Sequence, residues 1–296
     1  MKYSTDTIGR LYMLIAMILS GSIGYFALES QQVSANIVFV RCIIGALFLF
    51  GYVWIFKLYP DRADITFKTL LMLLVGGLTL VFNWLFLFES YKTLSIGITT
   101  VIYNTQPFIL MILGAFLLKE KIKLESLILI VIAFIGLVIV VLGGDIQQSE
   151  VKVSGVINAL VAATLYAIST IYTKKITKLK PTFIAMCHLC IGCVVFINFV
   201  DVDNFIANIP TGHNLIILGL VHTGFMYIFL YGAYEKSDIS SLAIMSFVYP
   251  IVALSLDVII YDLKLTHIEI SGVIVILLSL ITYNSINYIK GNMKNA

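Results

Sequence analysis

Charged residues are scarce in this chain. Only 12% of its 296 residues are Asp, Glu, Lys or Arg, against 60% hydrophobic ones. An ordinary soluble domain carries about 25% charge, so the chain lacks the side chains needed to clothe a water-facing surface. Four cysteines are too few for a secreted disulfide scaffold, and the apolar excess excludes disorder and a coiled coil. The net charge of +3 is too small to argue for nucleic acid. Catalytic signatures are missing as well: there is no phosphate loop, no H-E-x-x-H and no recognisable nucleophile context. An enzyme is therefore the weaker class.

What the chain has is long apolar runs. A helix needs about 20 apolar residues to cross a bilayer core, and ten segments meet that length. They run at about Leu11 to Leu28, Ile37 to Phe56, Thr69 to Phe88, Ile96 to Leu118 and Ser126 to Leu142 in the first half. In the second they run at Val153 to Thr173, Thr182 to Val200, Leu215 to Tyr234, Ile239 to Tyr261 and Ile270 to Ile289. Such continuous runs do not alternate as barrel strands would, so the expected fold is an all-α membrane protein. The first run follows Lys2 and Arg10 as a signal peptide would, but no A-x-A-like site follows Leu28, and it reads as a span. Fifteen of the 19 Lys and Arg fall in one set of connecting segments and three in the other, with Arg41 inside a span. That bias predicts both termini on the cytoplasmic side.

An internal repeat is visible. Tyr91-Lys92-Thr93-Leu94-Ser95-Ile96 leads into a span with Gln106-Pro107 at its middle, and Tyr234-Glu235-Lys236-Ser237-Asp238-Ile239 leads into one with Tyr249-Pro250, 143 residues later. The same offset carries the first span onto the sixth and the fifth onto the tenth. Because each half has an odd number of spans, the halves, residues 1–145 and 151–296, are expected to be inverted-topology repeats around a site near the midplane.

These features, with Phe39-Val40-Arg41, the stretch from Phe82 to Lys92 and Leu117-Leu118-Lys119-Glu120-Lys121, resemble the EamA-type permeases of the drug/metabolite transporter superfamily over nearly the whole chain. In that family the helix after the middle proline usually ends in Gly-Glu. Here the pair reads Lys119-Glu120 and Tyr261-Asp262. The resemblance implies a secondary transporter, often an exporter of amino acids or other metabolites, with a cavity lined mainly by spans other than the fifth and tenth. The competing reading is a membrane-embedded enzyme or sensor using the same cavity.

Candidate site residues are the polar and aromatic ones at membrane depth. Asn83, Trp84, Tyr103, Asn104, Gln106, Tyr166, His222, Tyr227 and Tyr249 are expected substrate contacts, because amides and imidazoles in hydrocarbon must face partners or water. Interhelical hydrogen bonding is the competing role. Pro107 and Pro250 are expected hinges or unwound points. Arg41 and Glu89 are candidates for a gate pair or for binding a carboxylate and an amine. His188 and Asp257 are candidate proton-coupling groups.

Cys187, Cys190 and Cys193 have cluster-ligand spacing. On a continuous helix, however, successive members turn by about 300°, which makes a stripe rather than a cage. Asp61 and Asp64 form a lone D-x-x-D on a loop. No cofactor or metal is expected. The expected partners are a small-molecule substrate, the lipid bilayer, protons as a candidate coupling ion and a second copy of the chain. The expected location is a bacterial cytoplasmic membrane.

Overall fold

The computed structural model describes residues 5–94, 96–143, 152–261 and 264–293. The side chain of Asp257, residue Asp262 and the junction between the halves lie outside the described residues. All regular structure among those described is helical. Among the described residues, ten helices are long and apolar enough to cross a membrane. They are α1 (Thr5–Glu29), α2 (Ser34–Ile55), α3 (Phe67–Tyr91), α4 (Gly97–Leu118), α5 (Leu124–Gly143), α6 (Val153–Lys175), α7 (Pro181–Phe199), α8 (Ile209–Lys236), α9 (Ile239–Ile260) and α10 (His267–Ile286).

Local chemistry sets the ends. Thr66 accepts from the Thr69 amide at the start of α3, and Asp238 accepts from Ser241 N at the start of α9. Pro181 opens α7, where its missing N–H costs nothing. Thr266 and Glu269 form a reciprocal capping box, Glu269 N to Thr266 Oγ1 at 3.1 Å and Thr266 N to Glu269 Oε2 at 2.7 Å. That box starts α10 at His267, three residues earlier than the apolar run indicates. Helix α2 likewise starts at Ser34, which sets Arg41 deeper in the bundle than a start at Ile37 would.

Helix α4 ends at Lys119 in the left-handed conformation, φ 57°. That conformation favours glycine and costs other residues about 1–2 kcal/mol. Lys119 is exposed, so Lys119→Gly is expected to stabilise the detergent-solubilised protein by about 1 kcal/mol, read as a raised Tm. An unchanged or lower Tm would count against this account of the helix end.

Many of the helix neighbours survive exchange of the two halves. Helix α3 lies along α6, and α8 along α1; α4 touches α6, and α9 touches α1; α2 pairs with α7, α5 with α10 and α4 with α9. Outside this bundle, large apolar side chains face out: Leu47 and Trp54 on α2, Ile128 and Ile135 on α5, Ile274 and Ile281 on α10. A surface this apolar belongs against hydrocarbon, and the chain is an integral membrane protein.

Candidate substrate cavity

Three helices are interrupted near their middles. Helix α4 breaks between Tyr103 and Gln106, and α9 between Met245 and Val248. Each break precedes a buried proline, Pro107 or Pro250, whose ring removes an amide and crowds the carbonyl four residues back. Side chains take up the loosened backbone: Asn104, Thr105 and Ser246 donate to the carbonyls of Thr100, Ile102 and Ala243 at 2.8, 2.8 and 2.7 Å. Helix α1 breaks at Gly21-Ser22 without a proline. Helix α8 widens into a π-helical turn over Leu220–Phe225.

The breaks in α1, α4 and α9 border a central cavity of about 90 Å³. Met17, Ser20, Ile23 and Gly24 line it from α1, Arg41 from α2, and Trp84, Leu87 and Tyr91 from α3. The other walls are Tyr103, Asn104 and Gln106 of α4, Tyr166 of α6, Met226, Tyr227 and Leu230 of α8, and Ser246 and Tyr249 of α9. Among the described residues, helices α5, α7 and α10 contribute none to the lining.

Among the described residues Arg41 is the one charged residue in this wall, and it is 1% exposed. Its Nε donates to Thr223 Oγ1 at 3.0 Å and Nη2 donates to the His222 carbonyl at 3.4 Å. Thr223 Oγ1 in turn donates to the Leu218 carbonyl at 2.8 Å, so the π turn of α8 and the guanidinium hold each other. The Arg41 guanidinium also lies 3.9 Å from the Trp84 ring centroid, a cation–π contact. Trp84 tilts against Tyr227 at 5.8 Å, and Tyr103 meets Tyr166 edge-on at 6.0 Å. Tyr234 donates to Tyr166 Oη at 2.8 Å, and Tyr249 shares a 3.0 Å hydrogen bond with Thr100. Gln106 Oε1 is buried with no hydrogen-bond partner among the described residues.

Several expected site residues lie off the cavity. Asn83 stands behind the wall, donating to the Ala162 carbonyl at 2.7 Å and to Tyr103 Oη at 3.3 Å, so it orients a lining tyrosine. His222 packs behind the wall with Nε2 2.6 Å from Ser22 Oγ, and Nδ1 faces the Ile217 carbonyl at 3.3 Å. A carbonyl only accepts, so Nδ1 carries the proton. His188 is fully buried between Gly76 and Tyr231, with Nδ1 2.7 Å from Tyr231 Oη.

Arg41 and Glu89 do not pair. Glu89 bonds Lys92 Nζ at 2.7 Å at a partly exposed surface, one turn away along α3, while Arg41 turns inward to α8. Pro107 and Pro250 shape the wall without lining it. Cys190 is exposed on α7, and Asp64 pairs with Lys178 at 3.6 Å. Ser20, Gly24 and Tyr91 were missed by the sequence reading. The Gly21-Ser22 pair in α1 was the available signal for the first two.

At the Lys/Arg-rich end the ends of several helices are tied together. Lys174 Nζ, at the end of α6, donates to the carbonyls of Tyr234 and Ser237 at 3.2 and 2.5 Å and lies 3.7 Å from Glu120 Oε1. Glu120 Oε2 accepts from the amide of Ile239, the first residue of α9, at 2.9 Å.

Among known proteins, the EamA-like transporter family matches residues 7–142 and again 153–285. An uncharacterized transporter, YxxF, of Bacillus subtilis (strain 168) is 30% identical over 89% of this chain and 85% of its own length. A probable amino-acid metabolite efflux pump of Salmonella typhimurium is 27% identical, covering 72% of this chain and 76% of that one. A solved crystal structure aligns over 93% of this chain and 96% of its own with a TM-score of 0.75 at 13% identity, a likeness of fold alone. Two matches that together span nearly all ten helices leave one assignment: the chain belongs to the EamA-like transporter family.

Proposed function

We propose that this protein is a secondary active transporter that exports a small polar metabolite, an amino acid or related compound, by alternating access. The observation that carries the proposal is the central cavity walled by the interrupted helices α1, α4 and α9, with helix ends at the Lys/Arg-rich end joined by Lys174 and Glu120. Breaks beside Pro107 and Pro250 give each half a flexible point at a corresponding place. The helix neighbours that survive exchange of halves support two inverted five-helix repeats, residues 1–145 and 151–296, that rock about the cavity.

The charge bias supports cytoplasmic termini, and the bacterial relatives support a bacterial cell membrane. The name of the Salmonella typhimurium relative supports amino-acid metabolites as cargo and export as direction. The cavity's volume, about 90 Å³, is below the roughly 150 Å³ that takes up a benzene ring, so cargo loading requires the wall to open.

Counterflow tests this. Proteoliposomes preloaded with unlabelled amino acids are expected to accumulate the matching labelled amino acid transiently, recovered chemically unchanged, and empty liposomes are not. No counterflow across the proteinogenic amino acids and their simple metabolites would overturn the proposal. A chemically altered solute would point to an enzyme.

A further inference from the structure

The cavity has a buried positive charge and, among the described residues, no carboxylate within 4 Å to balance it. Isolated charge at membrane depth is costly, and Arg41 at 1% exposure is held only by a hydroxyl, a carbonyl and two aromatic rings. Those contacts fix the guanidinium without neutralising it. They also use two of its five N–H donors, leaving the rest of a planar fork whose geometry matches a carboxylate. A second unmet group belongs to a residue of the same wall: among the described residues nothing donates to Gln106 Oε1, a buried acceptor that opening of the wall would uncover. The rest of the wall is aromatic and aliphatic, with the neutral polar groups of Ser20, Asn104 and Ser246.

Resting on the transporter reading above, we infer that the cargo carries a single carboxylate that binds Arg41, with a donor group, such as the ammonium of an amino acid, directed at Gln106 Oε1. One guanidinium balances one negative charge, so the site takes monocarboxylates and zwitterions. It rejects organic cations, which would bring a second positive charge beside Arg41 into a low-dielectric pocket. A polyanionic phosphate ester finds only one cation there. The charge of the cavity is thereby a selectivity filter that separates amino and carboxylic acids from amines of the same size and shape.

Trp84, in contact with Arg41, is a built-in reporter. The only other tryptophan, Trp54, is 65% exposed on the outer face of α2. In a Trp54→Phe protein the emission of Trp84 is read during titration with L-leucine, 4-methylpentanoate, L-leucinamide, isopentylamine and inorganic phosphate, then with straight-chain and aromatic monocarboxylates. Carboxylates are expected to change the emission saturably, and the amide, the amine and phosphate are expected to need at least about tenfold higher concentration. Arg41→Gln is expected to erase that preference, and Arg41→Lys to keep it at lower affinity.

Should Arg41→Gln not fold, the wild-type ligand ranking and the lysine variant still decide. Amine or amide acting at the same concentration as carboxylate, or no saturable response to any monocarboxylate, overturns the inference. Carboxylate binding without counterflow would overturn the transporter reading and leave the site standing. Counterflow of carboxyl-free solutes that is indifferent to carboxylates would do the reverse.

Discussion

Gly272→Leu is expected to abolish recovery of folded protein. A Cβ at Gly272 would stand 2.6 Å from the Gly136 carbonyl oxygen and 2.8 Å from Val140 N. One at Gly136 would stand 2.9 Å from the Gly272 oxygen. These neighbours are backbone, which has no rotamer to change, so even one added carbon must push α5 and α10 apart. Two helices in hydrocarbon have no hydrophobic drive to re-associate and depend on close van der Waals contact, which small residues permit.

Gly272→Ala is therefore expected to cost about 1–3 kcal/mol, seen as a lower Tm in detergent. The leucine variant, with three more carbons at the same point, is expected to yield no monodisperse peak on size exclusion. Gly51 in α2 is the control: nothing lies within 4 Å of its Cβ position, and Gly51→Ala is expected to be neutral or stabilising. A Gly272→Leu protein recovered at wild-type yield would refute the backbone contact. Because α5 and α10 line no part of the cavity, the loss would be one of assembly and would not reflect a damaged site.

The ten spans were legible because bilayer thickness imposes a length and hydrocarbon imposes a composition, both of which a single sequence displays. The breaks in α4 and α9 were legible for a different reason. A proline acts on its own backbone, so Pro107 and Pro250 announce their effect locally. The π turn of α8 has no such signal. It is held by Thr223 on the Leu218 carbonyl and by Arg41, 182 residues away in the chain, and only the packed bundle brings them together.

The same distinction explains the site. Trp84, Tyr103, Tyr166 and Tyr227 line the cavity because a bulky polar-tipped ring at mid-span has few other places to go. Asn83 and His222 had an equally good alternative, a hydrogen bond to a neighbouring helix, and both took it. Glu89 could not be placed from depth alone, since Lys92, three residues on, offered a partner at the surface. The inverted repeat is an expectation read from a motif recurring at one offset, which a single sequence displays directly.

Lys174→Met is expected to shift the transporter toward opening at its Lys/Arg-rich end and to slow transport by about tenfold or more. Lys174 joins three elements at once: it donates to the Tyr234 carbonyl in the last turn of α8 and to the Ser237 carbonyl just past its end, and it pairs with Glu120, whose other oxygen holds the first amide of α9. Those carbonyls and that amide are helix-end groups with no partner within their own helices. Removing the lysine leaves two carbonyls and a carboxylate short of a donor. At about 1–3 kcal/mol for unsatisfied groups, discounted because Glu120 is partly exposed, the closed end loses roughly a tenfold factor or more.

Glu120→Gln is expected to do less, because an amide oxygen can still accept from Ile239 N while losing only the 3.7 Å ion pair. The exchanged pair, Lys174→Glu with Glu120→Lys, separates the two accounts. If charge pairing were the whole device, the exchange would restore transport. If the helix ends matter as well, a carboxylate placed against two carbonyls and a lysine placed against an amide both repel, and the double variant fares worse than either single change. Counterflow rates of the four proteins, with thiol labelling of a Ser246→Cys reporter in the cavity wall from each side of the membrane, read the outcome directly. Recovery in the exchanged pair would reduce this end of the bundle to a simple ion pair.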